Sequence, residues 1–179
     1  IYKLTNILEK NSKNEGLLII DGDTFYKKNI INQINENYHT IFYHKTKIKE
    51  PIFSYVKINR NKIYEIVEKK KISNNANTGA YYFNNINKFN SYSRSALKND
   101  KKIYVSDIYN LLLKNKELII GKEIKEKEFA CLGTPKQVID FSKKNKIEKK
   151  RFCFDLDNTL VTYPKVKDDY KTVKPVSYT

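Results

Sequence analysis

Two short apolar segments of this chain each end in a pair of carboxylates, and this pattern most constrains the fold. Leu17–Ile20 runs into Asp21 and Asp23, and Phe152–Phe154 runs into Asp155 and Asp157. A short continuous apolar run suits a strand that is buried on both faces. Acids at the carboxyl end of such a strand are typical of an open α/β sheet, which places its chemistry there. Each segment therefore predicts a strand whose end carries a binding or catalytic site.

Between these segments, β-rich and helical patterns alternate, which predicts an α/β fold with a mixed sheet. Further strands are predicted at Tyr38–Tyr43, Ile52–Ile58, Lys62–Lys69, Ala76–Phe83, Glu117–Ile120 and Lys127–Leu132. The second and third of these form a hairpin through a turn at Arg60–Lys62. Helices are predicted at Lys28–Glu36, Asn85–Leu97, Val105–Lys114 and from Pro135, with Thr134 as N-cap, and Lys143–Lys150 reads as a charged linker.

The composition is that of a globular protein. The 179 residues are 40% hydrophobic and 13% aromatic, enough to build a core. No apolar stretch approaches the ~18–20 residues of a membrane span, so no membrane insertion is predicted. Cys131 and Cys153 each lie in an apolar, strand-like run, which predicts buried thiols in a reducing compartment and favours the cytoplasm. Because His39 and His44 are far from both cysteines in sequence, a zinc site is not expected.

The net charge of +15 raises the question of nucleic-acid binding. The excess is almost all lysine, scattered along the chain, with arginine only at positions 60, 94 and 151. Arginine is the favoured residue for bidentate phosphate and base contacts. We therefore expect no specific nucleic-acid partner, and a basic binding module without catalysis stays as an alternative whose affinity would fall steeply with salt.

Both acidic pairs have a chemical and a plain interpretation. Asp23 follows a glycine that lets a ligand approach the backbone, and it is placed to hold Mg²⁺ against phosphate oxygens; alternatively, it caps a tight turn. Asp155 and Asp157, two apart on an extended segment, face the same side. They can share one Mg²⁺ or act as nucleophile and acid, or they can belong to a strand followed by an Asx-turn.

Five segments occur in the order and approximate spacing of the carboxyl-terminal half of sugar-1-phosphate nucleotidyltransferases: LIIDGDTFY, IYEIVEKK, ANTGAYYF, YVSDIYNLLL and LGTPKQV. The chain resembles this family over more than half its length. The resemblance implies a Rossmann-like, glycosyltransferase-A type mixed sheet that is incomplete at its amino end. It also implies Mg²⁺-dependent attack of a sugar 1-phosphate on the α-phosphorus of an NTP, with release of pyrophosphate.

The same resemblance assigns roles to individual residues. Asp23 matches a ligand of the catalytic Mg²⁺. Glu68 would accept hydrogen bonds from sugar hydroxyls, and Lys69 would neutralise the sugar phosphate. The backbone that lies against the sugar would be that of Asn77, Thr78 and Gly79.

Plain alternatives remain for these positions. Glu68 and Lys69 could form a solvated strand edge, and Gly79 could be a β-bulge. Asp107 is better explained as a helix cap than as a ligand.

The chain departs from the family pattern in two places. Cys131 occupies a position where the family has an aspartate as second metal ligand, and a neutral thiol is a poor partner for Mg²⁺. The glycine-rich GxGxR loop that cradles the triphosphate is absent from the sequence, and we expect it upstream of Ile1.

The segment DLDNTLV resembles the opening motif of haloacid-dehalogenase (HAD) phosphatases. The resemblance implies that Asp155 is the nucleophile and a metal ligand, that Asp157 is the general acid and base, and that Thr159 orders the loop. We expect residues 1–145 to be a partial nucleotidyltransferase domain and residues 146–179 to be a linker and the opening of a HAD domain.

The fusion resembles bifunctional proteins of capsule or surface-polysaccharide biosynthesis. We therefore expect the chain to be an internal piece of a longer protein and to be inactive alone. A HAD phosphatase preceded by a non-catalytic α/β domain is the alternative. The sugar, the base and the oligomeric state stay open.

Overall fold

A computed structural model describes residues 15–99 and 103–145, and within them strands and helices alternate as the sequence predicts. Nearly all of these residues belong to a first compact unit, Ile1–Phe141; the last four belong to a second, Ser142–Thr179. Asp155, Asp157 and Thr159 lie outside the described residues. No helix in the described ranges is long and apolar enough to cross a membrane.

Residues 15–99 and 103–145 form eight strands: β1 (Leu17–Ile20), β2 (Thr24–Tyr26), β3 (His39–Lys45), β4 (Ser54–Asn59), β5 (Lys62–Glu68), β6 (Asn75–Phe83), β7 (Ile119–Glu123) and β8 (Phe129–Cys131). The same residues form three helices, α1 (Ile86–Asn99), α2 (Val105–Lys114) and α3 (Pro135–Asn145), and short 3₁₀ turns lie at Ile31–Gln33 and Glu126–Glu128.

The main sheet has six strands in the order β1-β6-β3-β7-β5-β4. Its longest strand, β6, pairs antiparallel with β1 and β3, and β3 pairs parallel with β7 at the centre of the sheet. The β4–β5 hairpin is joined to this centre by one residue pair on each side, Tyr55 with Ala76 and Lys62 with Ile120. Strands β2 and β8 form a separate antiparallel pair. The mixed α/β sheet predicted from the sequence is thus confirmed.

The long central strand β6 is buried along almost its whole length because side chains cover both of its faces. The larger core cluster joins strand residues such as Ile41 and Phe83 to Phe89 of α1 and Leu112 of α2. Burying a side chain such as Leu112 stabilises the fold by roughly 1.5–3 kcal/mol. The hydroxyl of Tyr109 donates to the carbonyls of Thr40 and Tyr82, at 2.9 and 2.8 Å, and so fixes α2 against β3 and β6.

The hairpin turn is the predicted one. Arg60 and Asn61 connect β4 and β5 with φ angles of 46° and 67°. Two consecutive residues with positive φ are typical of a type I′ turn, whose twist matches that of the flanking strands. The turn, together with a register shift between Lys57 and Ile58, brings Ser54 opposite Glu68 at the far end of the hairpin.

The predicted helix at Lys28–Glu36 is wrong: only Ile31–Gln33 forms a 3₁₀ turn. The side chains of Asn29 and Asn35 accept hydrogen bonds from the amides of Ile31 and Asn37, at 2.9 and 3.0 Å. Such local bonds offer the backbone an alternative to the helix ladder. The predicted charged linker also begins too early, since α3 continues through Lys143 and Lys144 to Asn145.

Candidate functional site

A cleft of about 380 Å³ opens beside the carboxyl ends of β1 and β5 and the bulged part of β6. Five of the predicted site residues line it: Asp23, Glu68, Asn77, Thr78 and Gly79. Four aromatic rings complete its walls, those of Phe53, Tyr81, Tyr104 and Phe129. Segments far apart in sequence therefore meet where the sequence predicts a site.

Gly79 brings the backbone of β6 against the end of β1. The amide of Asp21 donates to the carbonyl of Gly79 at 2.7 Å. Gly79 has a φ of +81°, and a Cβ there would lie 2.7 Å from Oδ2 of Asp21. The register between β3 and β6 also shifts here, because Phe42 pairs with Ala80 and Tyr43 with Asn77. Gly79 is thus both the bulge and a wall of the cleft, and the position requires glycine.

Asn77 and Thr78 are buried beneath the cleft but differ in how their side chains are bonded. The Thr78 hydroxyl donates to the Phe42 carbonyl at 3.0 Å and accepts from the Tyr26 hydroxyl at 2.9 Å. Asn77 uses its Oδ1 to accept from the Gly79 amide, while its buried Nδ2 finds no hydrogen-bond partner among the described residues. Thr78 therefore serves the fold, whereas Asn77 keeps a donor that no residue in the described ranges engages.

Glu68 is held at the end of β5 by the start of α2. The hydroxyl of Ser106 donates to Oε2 of Glu68 at 3.0 Å. Ser106 is buried, and α2 begins beside it because the Asp107 carboxylate accepts from the Tyr104 amide at 2.8 Å. Asp107 is accordingly a cap, as predicted, and the solvated-edge interpretation of Glu68 is wrong because the side chain is half-buried and faces the cleft.

Lys69 is not among the residues that line the cleft. Its backbone turns away at a φ of 49°, and its amide donates to the Phe53 carbonyl at 3.0 Å. Its Nζ lies 5.4 Å from the ring centroid of Tyr104, within the range of a cation–π contact. Lys69 is exposed, so its charge sits at the rim beside a residue that lines the cleft.

Asp23 lies where the cleft meets the separate two-stranded sheet of β2 and β8. The amide of Leu132 donates to the Asp23 carbonyl at 2.6 Å. A Cβ on Gly133 would lie 2.6 Å from Oδ2 of Asp23 and 3.9 Å from the sulfur of Cys131. Cys131 is a free, half-buried thiol that lines the cleft, so the prediction of a buried core thiol is wrong at this position.

The cleft is negatively charged although the whole chain is basic. Asp21, Asp23 and Glu68 line it, and no Lys, Arg or His occurs among the described residues of its lining. Removal of water by the surrounding protein raises the pKa of Asp21 to about 6, and the charges of Asp23 and Glu68 raise it further in the same direction. A cation is therefore the natural complement of this end of the cleft.

A metal cage made by protein groups alone does not occur in the described ranges, where no three His, Cys, Asp or Glu side chains are close enough to share an ion. Mg²⁺ does not need one, because it is commonly held by one or two carboxylates and completed by water and substrate phosphates. The hard oxygens of Asp21 and Asp23, each beside a glycine, fit that kind of site.

Sequence reasoning missed Asp21 and Ser106 as site residues. Asp21 belongs to the Asp-Gly-Asp segment that drew attention to Asp23, and that segment was the available signal in the sequence. In the structure, Asp21 lines the cleft as Asp23 does. Ser106 carried no signal, because its contact with Glu68 spans 38 residues and depends on how α2 packs against β5.

No protein-family model matches the chain, and no curated protein matches it in sequence. Among solved structures, a nucleoside-diphosphate-sugar pyrophosphorylase from Vibrio cholerae RC9 superposes on 77% of the chain with a TM-score of 0.64 and 20% identity. A Bacillus anthracis protein assigned as a glucose-1-phosphate thymidylyltransferase, with sucrose bound, covers 84% of the chain with a TM-score of 0.65 and 21% identity.

The inositol-1-phosphate CTP transferase of T. maritima covers 81% of the chain with a TM-score of 0.64 and 16% identity. The chain spans 61%, 63% and 61% of the lengths of these three proteins. The likeness establishes that the chain shares the fold of these nucleotidyltransferases.

Proposed function

We propose that this chain is the sugar-phosphate-binding part of a nucleotidyltransferase that joins an NTP to a sugar 1-phosphate. One observation carries the proposal: Asp23, Glu68 and the Asn77–Gly79 segment line one cleft. In the reaction, an oxygen of the sugar phosphate attacks the α-phosphorus of the NTP. The bond from that phosphorus to the β-bridging oxygen breaks, and pyrophosphate leaves.

The sugar is the part of the substrate that the described residues suit best. Glu68, oriented by Ser106, accepts hydrogen bonds from hydroxyls. The unpaired Nδ2 of Asn77 donates to an oxygen of the same ligand. Because Gly79 has no side chain, the sugar can lie directly on the backbone of β6. These groups position the substrate, which is most of what phosphoryl-type transfer asks of a protein.

Charge neutralisation is divided between the two ends of the cleft. Asp23 would hold Mg²⁺, which when bound offsets the negative charge of the phosphates. Lys69, at the rim, would interact with the sugar phosphate by extending from its place over Tyr104. A flexible lysine suits this because it can follow the phosphate as a point charge.

The test is a pyrophosphate-release screen with the natural protein that carries this chain, using four NTPs and a panel of sugar 1-phosphates. We expect release with one sugar–NTP pair, and Asp23→Asn should lower kcat/KM by at least about a hundredfold, the scale of losing one essential electrostatic group. Asp140→Asn, which changes an exposed acid on α3 that does not line the cleft, is the matched control. Equal loss in both variants, or no release with any pair, would contradict the proposal.

For the segment that begins at Phe152, we propose a second activity, hydrolysis of a phosphate ester by a HAD-type domain. It is supported by the sequence FCFDLDNTLV. A carboxylate oxygen of Asp155 would attack phosphorus, and Asp157 would protonate the leaving alcohol. Water, deprotonated by Asp157, would then hydrolyse the aspartyl-phosphate. The two activities would take place in the cytoplasm. Together they would supply a nucleotide sugar for the synthesis of a surface polysaccharide.

Two variants separate the two activities. In the longer protein, Asp155→Asn should abolish Mg²⁺-dependent phosphatase activity and leave pyrophosphate release intact, whereas Asp23→Asn should do the reverse. If replacement of Asp23 and Lys69 changes nothing while Asp155→Asn removes all activity, the first domain is non-catalytic and the phosphatase alternative holds.

A further inference from the structure

We propose that Asp21 is a ligand of the divalent cation together with Asp23. The inference rests on the proposed function and assigns one more residue to its metal site. The two carboxylates flank Gly22, both line the cleft, and both are exposed towards it.

Neither carboxylate has a side-chain partner among the residues that the structure describes. Within residues 15–99 and 103–145, no hydrogen bond or salt bridge engages the side chain of Asp21 or of Asp23, whereas Glu68 in the same cleft is held by Ser106. The chain has 35 Lys and Arg residues, yet none of those described lines this cleft. Two neighbouring acids left without a cation in so basic a chain indicate that the cation comes from solution.

Glycines clear the space around both carboxylates. A Cβ would come within 2.7 Å of Asp21 Oδ2 at Gly79 and within 2.6 Å of Asp23 Oδ2 at Gly133. The backbone of Gly79 and Gly133 therefore lies close to the two carboxylates. Neither glycine has a side chain that could occupy the place of a bound ion. The same arrangement lets a substrate phosphate approach the ion closely.

A second feature of the cleft independently indicates a ligand with oxygen acceptors. Asn77 lines it and is 4% exposed, and no described residue forms a hydrogen bond with its Nδ2. A buried donor without a partner is costly unless a ligand satisfies it. A phosphorylated substrate meets both needs, because its oxygens can accept from Asn77 and also complete the coordination of Mg²⁺ around two carboxylates.

Cys131 is the rival ligand. A Cβ on Gly133 would lie 3.9 Å from its sulfur and 2.6 Å from Oδ2 of Asp23, so the thiol is close to that carboxylate. Thiolates select soft metals, and carboxylates select Mg²⁺ and Mn²⁺. If the site prefers a hard cation such as Mg²⁺ or Mn²⁺, the second ligand is Asp21. If it prefers a soft metal, the second ligand is Cys131.

The test is direct cation binding, measured without turnover. Mn²⁺, alone, is titrated into the chain and followed by electron paramagnetic resonance, with Mg²⁺ as competitor. We expect Asp21→Asn to weaken Mn²⁺ binding by at least about tenfold, the lower end of what even an outer partner is worth to a metal site. Cys131→Ser should leave it within about twofold, and Asp140→Asn serves as matched control. A thermal melt of each variant verifies folding.

The outcomes test this inference separately from the proposed function on which it rests. If Asp23→Asn abolishes Mn²⁺ binding and Asp21→Asn does not weaken it, Asp21 is not a ligand, and the proposed function stands. If the wild-type chain binds no Mn²⁺, or if Cys131→Ser weakens binding and Asp21→Asn does not, the inference is likewise overturned. Pyrophosphate release that needs no divalent cation would instead refute the metal role in the proposed function.

Discussion

Gly79 is the residue on which the shape of the cleft most depends. It combines a left-handed backbone, φ +81°, with a distance of 2.7 Å from its missing Cβ to the Asp21 carboxylate. Gly79→Ala should therefore lower the free energy of unfolding by about 1–3 kcal/mol, the cost of holding a non-glycine residue in that region.

Gly22 provides the matched control for this prediction. A Cβ there would meet nothing within 4 Å, so Gly22→Ala should change stability by no more than about 0.5 kcal/mol. Urea denaturation of the two variants gives the comparison. A similar loss of unfolding free energy in both variants would mean that the end of β1 does not pack closely against Gly79.

His39 makes the fold sensitive to acid. It is 1% exposed and accepts a hydrogen bond from the Asn84 amide at its Nδ1. Burial lowers its pKa to about 4, against the opposing effect of Glu117 and with a smaller contribution from Lys88. The unfolded chain takes up a proton near pH 6.5 and the folded chain only near pH 4, so stability is lost as the pH falls between these values.

A substitution at this residue measures the effect. His39→Asn keeps an acceptor for Asn84 and cannot titrate, so its stability should fall less steeply between pH 6.5 and 4. The difference in slope should approach about 1.4 kcal/mol per pH unit, measured by urea denaturation at several pH values. Burial also lowers the pKa of His44, so part of the slope should remain. Parallel curves for wild type and variant would show that His39 titrates normally.

At the scale of elements, the amino end of α2 does two separable jobs. Ser106 donates to Glu68, and Asp107 caps the helix through the Tyr104 amide. Under the proposed function, Ser106→Ala should raise KM for the sugar phosphate more than it lowers kcat, because Glu68 loses its orientation.

Asp107→Ala is the contrasting change. It should cost about 1 kcal/mol of stability, as the loss of a cap does, with KM unchanged. Steady-state kinetics on the longer protein, with thermal melts of both variants, test the pair. If both variants change KM alike, the position of α2 as a whole, and not the Ser106–Glu68 bond, controls Glu68.

Local patterns predicted most elements because their signals are local. Helix α2 occupies its predicted range, Val105–Lys114, since its apolar residues recur at helical spacing. The helix predicted at Lys28–Glu36 does not form, because asparagine side chains there accept hydrogen bonds from nearby amides. Strand β2, Thr24–Tyr26, was missed because it exists only through pairing with β8, more than a hundred residues away.

At the scale of the whole molecule, the net charge does not describe the cleft. A chain of charge +15 presents three acids and no described base at its candidate site. Under the proposed function, the surface lysines would raise the local concentration of phosphorylated substrates, while the acids of the cleft would hold the cation.

The candidate site could be predicted only where a resemblance supplied the long-range contacts. Asp23, Glu68 and Asn77–Gly79 were brought together by that route, and they do line one cleft. Lys69 lies at the rim because its positive φ turns it outward. The contributions of Asp21 and Ser106 depend on the packing of β1 against β6 and of α2 against β5, which no local pattern encodes.

The central claim is that this cleft binds a sugar phosphate, and a crystal structure of the chain soaked with MgCl₂ and a mixture of sugar 1-phosphates tests it most directly. We expect a sugar phosphate in the cleft, with hydroxyls at Glu68, an oxygen at Nδ2 of Asn77 and the phosphate towards Asp23. A ligand bound elsewhere on the molecule, or an empty cleft at saturating concentrations, would contradict the account.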